Sequence, residues 1–206
     1  CAKYRRTFSA TVEVMETRHV LVLGAGGNVS RHSVPKLVKE GHKVSALVRN
    51  PDHAQKLADD GATVIVRDLT TLDAEDWARL LTPFDAVVWS AGAGGGDLAR
   101  TYGVDQKAAI ASMKAARDAG VGRIVYLSGL HPVGPLSKHL ASRVEVGDIL
   151  LRSGVPTAVL QAAVILGSGS ASFEMLRHLT HRLPVMVTPK WVSNRIQPIA
   201  VRDVMH

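Results

Sequence analysis

Short apolar runs alternate along the chain with longer segments in which apolar residues recur every three or four positions. Most of the short runs are continuously apolar, which is typical of strands buried on both faces of a parallel sheet. They predict six strands, at residues 19–24, 43–48, 62–67, 85–90, 123–128 and 157–163. The segments between and after them predict helices at residues 28–40, 52–60, 73–81, 104–119, 138–153 and 171–182.

This alternation predicts an α/β fold: a doubly wound, mostly parallel Rossmann-type sheet with helices on both faces. We expect residues 19–206 to form one such domain. Residues 1–18 contain basic residues but no apolar run, and they predict a disordered N-terminal tail. The region from about 162 to 206 has short apolar pieces, with a short strand near 196–200. We expect this region to be a small or truncated substrate-side part.

Composition narrows the classes of function. The net charge of +7 fits either a nucleic-acid partner or an anionic cofactor. Because the basic residues are spread along the chain without interleaved aromatic residues, we expect no nucleic-acid partner. The longest apolar stretch, residues 155–167, is interrupted by Pro156 and Gln161 and is shorter than the ~20 residues of a membrane span, so we expect no membrane partner.

Cysteine and histidine usage argues against two further kinds of site. Cys1 is the only cysteine, which excludes an internal disulfide and a cysteine-rich zinc site and favours the cytoplasm. His178 and His181 share one predicted helix but lack a third ligand, so we expect no metal. The sequence predicts no particular oligomeric state.

The segment HVLVLGAGGNVSRHSVPKLV, residues 19–38, joins a predicted strand to a helix through glycines. The dinucleotide-binding pattern G-x-G-x-x-G fails here, because Val29 stands in its last position. The spacing G-x-x-G-x-x-G fits with Gly24, Gly27 and Ser30, and serine needs little more room than glycine.

A helix N-terminus that follows such a turn offers free N–H groups and a positive dipole end to a phosphate. Gly26, Asn28 and Val29 complete the predicted phosphate loop together with Gly24 and Gly27. The alternative is a glycine turn that binds no ligand.

The longer stretch LVLGAGGNVSRHSVPKLVKEGHKVSALVRNP resembles the atypical and extended short-chain dehydrogenase/reductases, especially their NmrA-like and NAD(P)H-binding branches. The usual form there is close to G-A-T-G-x-x-G-x-x-V followed by V-R-A-L-V-R-[DN]-P. The similarity continues through DAVVWSAG, AARDAGVGRIVYLSG, LLRSGVPTAVLQ and QPIAVRDV, and so covers residues 19–204.

The resemblance implies further cofactor contacts. Asp68 and Leu69 would lie beside the adenine, although Asp68 can instead cap a turn. Three residues after the fourth predicted strand would line the cofactor: Ser90, Ala91 and Gly92.

The end of the second predicted strand reads LVRNP, residues 47–51. An NAD enzyme usually has Asp or Glu at this position to accept a hydrogen bond from the ribose 2′-OH. Arg49 can instead form a charge-assisted pair with a 2′-phosphate. The alternative is a surface arginine after a strand. We therefore expect NADP(H) in preference to NAD(H).

The family's usual catalytic residues are only partly present. Ser128 matches the serine that follows the fifth strand, but no Tyr-x-x-x-Lys occurs anywhere in the chain. By alignment with the family, His139 and Arg143 take the tyrosine and lysine places. His139 can donate a proton near neutral pH, whereas Arg143 stays charged and can only bind ribose or phosphate. The alternative is that both are ordinary polar residues of a half-exposed helix.

Two functions follow. The first is an NADP(H)-binding oxidoreductase that transfers hydride to a small carbonyl or quinone-like substrate. The second is a non-catalytic NmrA-like redox sensor or regulator that binds dinucleotide without turnover. The missing Tyr-x-x-x-Lys favours the sensor, whereas Ser128 and the His-x-x-x-Arg helix favour the enzyme, which is the function we expect.

Overall fold

A computed structural model describes residues 16–92, 106–131, 134–182 and 197–206. Its main sheet has six strands: β1 (His19–Leu23), β2 (Lys43–Val48), β3 (Thr63–Val66), β4 (Ala86–Trp89), β5 (Arg123–Gly129) and β6 (Thr157–Ala162). All neighbouring strands are parallel, in the order β3-β2-β1-β4-β5-β6. A separate two-stranded parallel sheet pairs β7 (Ile165–Leu166) with β8 (Ile199–Ala200).

Helices connect the strands. They are α1 (Ser30–Lys39), α2 (Ala54–Asp59), α3 (Ala74–Leu81), α4 (Ala109–Asp118), α5 (Lys138–Leu151), α6 (Ala171–Arg182) and α7 (Val201–Val204). Single 3₁₀ turns at Pro51–His53 and Leu69–Thr71 follow β2 and β3. Side-chain caps start two helices, because Asp73 accepts from the Asp76 N–H at 2.8 Å and Ser137 accepts from the Leu140 N–H at 3.3 Å.

The predicted fold class and all six predicted strands are confirmed, with ends that differ by at most one residue. The helix predicted at 52–60 divides into a 3₁₀ turn and α2, because Asn50 caps the turn by accepting from the Asp52 N–H at 3.1 Å. The N-terminal residues 1–15 and the predicted helix start at 104 lie outside the described residues. The predicted domain boundaries therefore stay predictions.

The central strands β1, β2 and β4 are largely buried, and their alternate side chains enter apolar clusters on opposite sides of the sheet. Leu21 and Leu23 enter one apolar cluster, which includes Trp77 of α3 and Leu150 of α5. Val20 and Val22 enter a second cluster that includes Val34 of α1. Helices therefore cover both faces at the central strands, as the continuous apolar runs predict, whereas the outer strands β3 and β6 keep exposed residues such as Val66 and Leu160.

The strand order creates a crevice at the carboxyl ends of β1 and β4. From β1 the chain proceeds outward to β2 and β3, and β4 then returns to the other side of β1. In such sheets ligands bind where the order reverses, outside the carboxyl ends of the strands. The segments that begin at Gly24, Arg49, Arg67 and Ser90 leave the sheet at this edge.

Within the described ranges, no helix is long and apolar enough to cross a membrane. The same ranges contain no group of three or more His, Cys, Asp or Glu side chains arranged to hold a metal ion.

Two adjacent leucines of α5 test the packing of this helix on the sheet. Leu150 is 1% exposed and Leu151 is 55% exposed. We expect Leu150→Ala to lower the free energy of unfolding by about 2–5 kcal/mol, because it leaves a cavity in the core. The same change at Leu151 should alter it by about 0.5 kcal/mol or less. Urea denaturation measures both, and equal losses would contradict the packing described here.

Candidate functional site

The glycine turn after β1 folds closely over its neighbours. Gly24 has a φ of +78°, and the N–H groups of Gly24 and Ala25 both donate to the carbonyl of Leu47, at 3.1 and 3.0 Å. A methyl group at Gly24 would come 2.7 Å from the main-chain N and Cα atoms of Ala91. This position therefore requires glycine for its backbone conformation and for the close approach of β4.

Unpaired polar groups occur at the start of α1. The Gly27 carbonyl accepts from the Arg31 N–H at 3.0 Å, whereas the N–H groups of Asn28 and Val29 donate to no described residue. The Ser30 hydroxyl is fully buried and also lacks a partner among the described residues. Free N–H groups and an unpaired hydroxyl at a helix N-terminus are suited to an anion such as a pyrophosphate.

A first pocket of about 240 Å³ opens beside the glycine turn. Among the described residues that line it, the charged ones are Arg49 and Arg67, and none is a carboxylate. Arg49 is exposed and forms no ion pair within the described ranges. The complete lining is Gly24, Gly26, Gly27, Leu47, Val48, Arg49, Asn50, His53, Arg67, Leu69, Ser90, Ala91 and Gly92.

Arg67 is held at the rim of this pocket by an acidic partner. Its Nη1 lies 3.4 Å from Oδ1 of Asp76, which also accepts from Arg79 at 3.0 Å. The hydrogen bond from Arg79 lowers the pKa of Asp76, and the charge of Arg67 lowers it further. Asp76 therefore stays ionised beside Arg67, whereas Arg49 has no acidic partner within the described ranges.

Asp68 has the turn-capping role that the sequence leaves open. Its Oδ1 accepts from the Thr70 N–H at 2.9 Å and from the Thr70 hydroxyl at 2.8 Å. Asp68 is absent from the pocket lining, whereas Leu69 is present. A cofactor contact through Asp68 stays a prediction.

A second pocket of about 370 Å³ continues from the first along the same edge of the sheet. Gly27 and Ser90 line both pockets, so one elongated ligand can extend through the two. The rest of the second lining is mainly apolar and small: Asn28, Val29, Ser30, Leu127, Ser128, Gly129, Leu130, His139, Leu140, Arg143, Ala162, Ala163 and Ile165.

Two hydroxyl groups of β5 converge on one carbonyl of α5. Tyr126 and Ser128 donate to the Arg143 carbonyl at 3.2 and 3.4 Å. Close packing of the helix allows this, because Gly147 of α5 lies against Tyr126 and Val159. Ser128 is 5% exposed, and its hydroxyl keeps lone pairs that can accept a hydrogen bond from a ligand.

The Arg143 side chain connects the two pockets. Its guanidinium lies so close to Gly92 that a methyl group there would come 2.7 Å from Cζ. Gly92 lines the first pocket and Arg143 lines the second. His139, one turn earlier in α5, is exposed at the rim of the second pocket. A guanidinium and an imidazole thus border one small, mainly apolar cavity.

A family model for NAD(P)H-binding proteins matches residues 24–154, which is more than half of the chain. The chain belongs to the NAD(P)H-binding family. The resemblance to the NAD(P)H-binding branch of the short-chain dehydrogenase/reductases is thereby confirmed. Residues 24–154 include the glycine turn, both arginines of the first pocket, and His139 and Arg143 of α5.

Relatives of this NAD(P)H-binding chain include a reductase. Ceramide reductase of Caulobacter vibrioides is 30% identical over 189 residues, which is 89% of this chain and 57% of that protein. Photosystem II assembly factor Ycf39 of Guillardia theta is 34% identical over 112 residues, which is 54% of this chain and 35% of that protein. The chain thus spans about a third to just over half of the length of these relatives.

Solved structures agree with the fold. The Bordetella bronchiseptica enzyme WbmG, in complex with NAD, superposes with a TM-score of 0.77 at 19% sequence identity. The match covers 94% of this chain and 68% of that one. At this identity the likeness shows the Rossmann-type fold alone.

The structure brings most of the sequence-predicted site residues to one edge of the sheet. Gly24, Gly26, Arg49, Leu69 and the segment 90–92 meet around the first pocket. The predicted loop residues Asn28 and Val29 line the second pocket with Ser128, His139 and Arg143, and Gly27 lines both. Their roles in binding or catalysis stay predictions.

Three polar lining residues were missed by the sequence analysis: Asn50, His53 and Arg67. Asn50 and Arg67 follow the carboxyl ends of β2 and β3 within two residues, which is the signal that can find such residues once a parallel sheet is assumed. His53 lies further on, at the end of the 3₁₀ turn, and carries no such signal. The apolar walls Leu127, Leu140 and Ile165 of the second pocket carry no such signal.

Gly24 and Gly41 form a matched pair for the turn. Both have positive φ, +78° and +88°, but nothing lies within 4 Å of a methyl group at Gly41. Gly41→Ala should therefore lower the free energy of unfolding by about 1 kcal/mol through backbone strain alone. Gly24→Ala should lower it by a further ~1–3 kcal/mol, because the new methyl group meets the main chain of Ala91.

Chemical denaturation of the two variants measures this difference. Fluorescence titration with NADPH should also show weaker binding for Gly24→Ala than for Gly41→Ala. Indistinguishable stabilities would show that the close approach at Ala91 is not a constraint.

Proposed function

We propose that this protein is an NADP(H)-dependent oxidoreductase that reduces a small carbonyl or quinone-like acceptor. The observation that carries the proposal is the pair of contiguous pockets. Among the described residues, the first has Arg49 without an acidic partner and no carboxylate in its lining, and the second contains Ser128, His139 and Arg143. The single cysteine favours a cytoplasmic location, which is part of the proposal.

The first pocket would hold the adenosine end of the cofactor. Arg49 would pair with the ribose 2′-phosphate through a charge-assisted hydrogen bond. Leu69 and Ala91, both buried at the pocket wall, would contact the adenine and its ribose. The N–H groups of Asn28 and Val29 would bind the pyrophosphate, because they donate to no other described residue.

The second pocket would hold the acceptor. When bound, the reduced nicotinamide supplies the hydride, and the protein supplies orientation and a proton. His139 would donate that proton from its imidazole ring to the acceptor oxygen. Ser128 would orient the acceptor through its hydroxyl, and Arg143, a permanent cation beside Gly92, would bind ribose or phosphate oxygens.

The lining of the second pocket favours a compact, largely apolar acceptor. Leu127, Leu130, Leu140, Ala162 and Ile165 provide most of its apolar walls. A carbonyl or quinone oxygen would meet the few polar groups, as is usual when an apolar pocket fixes a ligand's orientation. The similarity of this chain to a ceramide reductase supports reduction as the class of reaction.

A second candidate function is a non-catalytic, NmrA-like sensor of the bound dinucleotide. The observation that favours it is the bonding of the Ser128 and Tyr126 hydroxyls to the Arg143 carbonyl, which holds both groups against α5. His139 is also exposed rather than enclosed. Tight NADPH binding without oxidation by any quinone or aldehyde of a panel would favour the sensor.

Charge reversal at the two ends of β2 tests the cofactor preference. Arg49→Asp should weaken NADPH binding by about tenfold and strengthen NADH binding, because it removes the phosphate partner and adds an acceptor for the ribose 2′-OH. Lys43→Asp makes the same change in net charge at the opposite, amino end of the strand. It should leave both affinities unchanged.

Fluorescence titrations with NADPH and NADH on the wild type and both variants measure this. Tighter binding of NADH than of NADPH by the wild type would overturn the NADP(H) proposal.

Removal of single histidines tests the proton donor. His139→Ala should lower kcat for NADPH oxidation about a hundredfold while leaving the Kd of NADPH unchanged, because a general acid acts on the acceptor. His178→Ala, at an exposed position of α6, should change neither quantity. Steady-state rates and titrations give both readouts. An unchanged kcat for His139→Ala would remove this histidine from the reaction.

A further inference from the structure

His53 projects over the phosphate-binding turn from an element that sequence motifs do not mark. It ends the 3₁₀ turn Pro51–His53, and its N–H donates to the Asn50 carbonyl at 3.3 Å. A methyl group at Gly26 would lie 2.6 Å from the imidazole Cδ2 and 3.4 Å from Nε2. The imidazole ring thus lies against the main chain of the glycine turn and lines the first pocket.

The charged groups around His53 leave its ring facing a cationic pocket. Arg49, at the end of β2, and Arg67, after β3, are the charged residues that share the lining with it. Of the nearby described charges outside the lining, Lys56 pairs with Asp60 at 3.3 Å, Asp68 caps its own turn, and Asp76 pairs with Arg67. Asp52, which precedes His53 in the chain, accepts from the neutral Asn50 amide at 3.2 Å and keeps its negative charge. The glycine turn itself, residues 24–29, carries no charge.

We propose that His53 is a specificity residue for the cofactor, and that its protonated ring joins Arg49 in binding the ribose 2′-phosphate. The inference rests on the proposed NADP(H) function and adds to it a dependence of cofactor choice on pH. His53 and Arg49 lie at the end of the site remote from Ser128, His139 and Arg143, which line the second pocket. This remote end is where the adenosine ribose would lie.

An imidazole changes its charge between about pH 5 and 8, whereas arginine does not. Protonation of His53 would strengthen the binding of NADPH and leave that of NADH almost unchanged, because only NADPH carries the 2′-phosphate. The preference for NADPH should therefore be greatest at low pH and fall as the pH rises. A phosphate monoester has its second pKa near 6, so protonation of the ligand alone would change the preference in the opposite direction.

The experiment measures Kd for NADPH and for NADH at pH 6.0 and pH 8.0 by fluorescence titration. Three proteins are compared: the full wild-type chain, His53→Gln and His53→Lys. Thermal unfolding of each without cofactor controls for the fold. The quantity of interest is the ratio of the NADH Kd to the NADPH Kd.

In the wild type we expect this ratio to fall about threefold between pH 6.0 and pH 8.0, the size expected for one partly exposed ionic contact. In His53→Gln the fall should disappear, and the ligand's own titration should make the ratio rise slightly. In His53→Lys the ratio should stay high at pH 8.0, because lysine remains charged.

Three results would overturn the inference. The first is an equal fall in the wild type and in His53→Gln. The second is a parallel change in the affinities for NADPH and NADH, which would assign the ring to the pyrophosphate. The third is a wild-type ratio that does not change with pH while NADPH still binds tightly, which would leave the proposed function standing. Failure of the wild type to bind either nucleotide at either pH would refute the proposed function itself, and this inference with it.

Discussion

The close approach of two main-chain segments, at Gly24 and Ala91, is the constraint on which the candidate site depends. Because β1 lies between β2 and β4, the chain that leaves β1 must turn immediately without a steric clash with either neighbouring strand. Gly24 does so with a positive φ and no side chain, and its N–H and that of Ala25 share the Leu47 carbonyl. The turn therefore stays close to the edge of the sheet, and α1 starts directly above the crevice. The free N–H groups at the start of α1 then face the edge of the pocket.

From this turn the site divides into two chemically different halves. The half beside β2 and β3 has arginine side chains and, in the part of the chain that the structure describes, no lining carboxylate, which suits phosphate groups. The half beside β5 and α5 is mainly apolar, with few polar groups. Arg143 joins them, because β5 hydroxyls hold its carbonyl while its guanidinium reaches Gly92. Arg143 thus lies against the linings of both halves.

Much of this arrangement could be predicted from the chain, because buried parallel strands are continuously apolar and the turn after β1 has distinctive glycine spacing. The strand ends, α6 and the grouping of Gly24, Arg49 and Ser90 at one edge all follow from such local patterns. His53 could not be predicted in the same way, since its position depends on how the 3₁₀ turn leans over Gly26. The bonding of Ser128 to a helix carbonyl also depends on the packing of α5.

The sequence by itself determined the fold class, the order of strands and helices, and the residue types at the cofactor end. It did so because hydrophobic periodicity and glycine positions act over a few residues. Only the tertiary structure decided that Asp68 caps a turn instead of lining the pocket, that Arg67 pairs with Asp76 while Arg49 pairs with no described acid, and that Arg143 lies over Gly92. Those outcomes depend on contacts between residues distant in the chain, whose geometry no local pattern encodes.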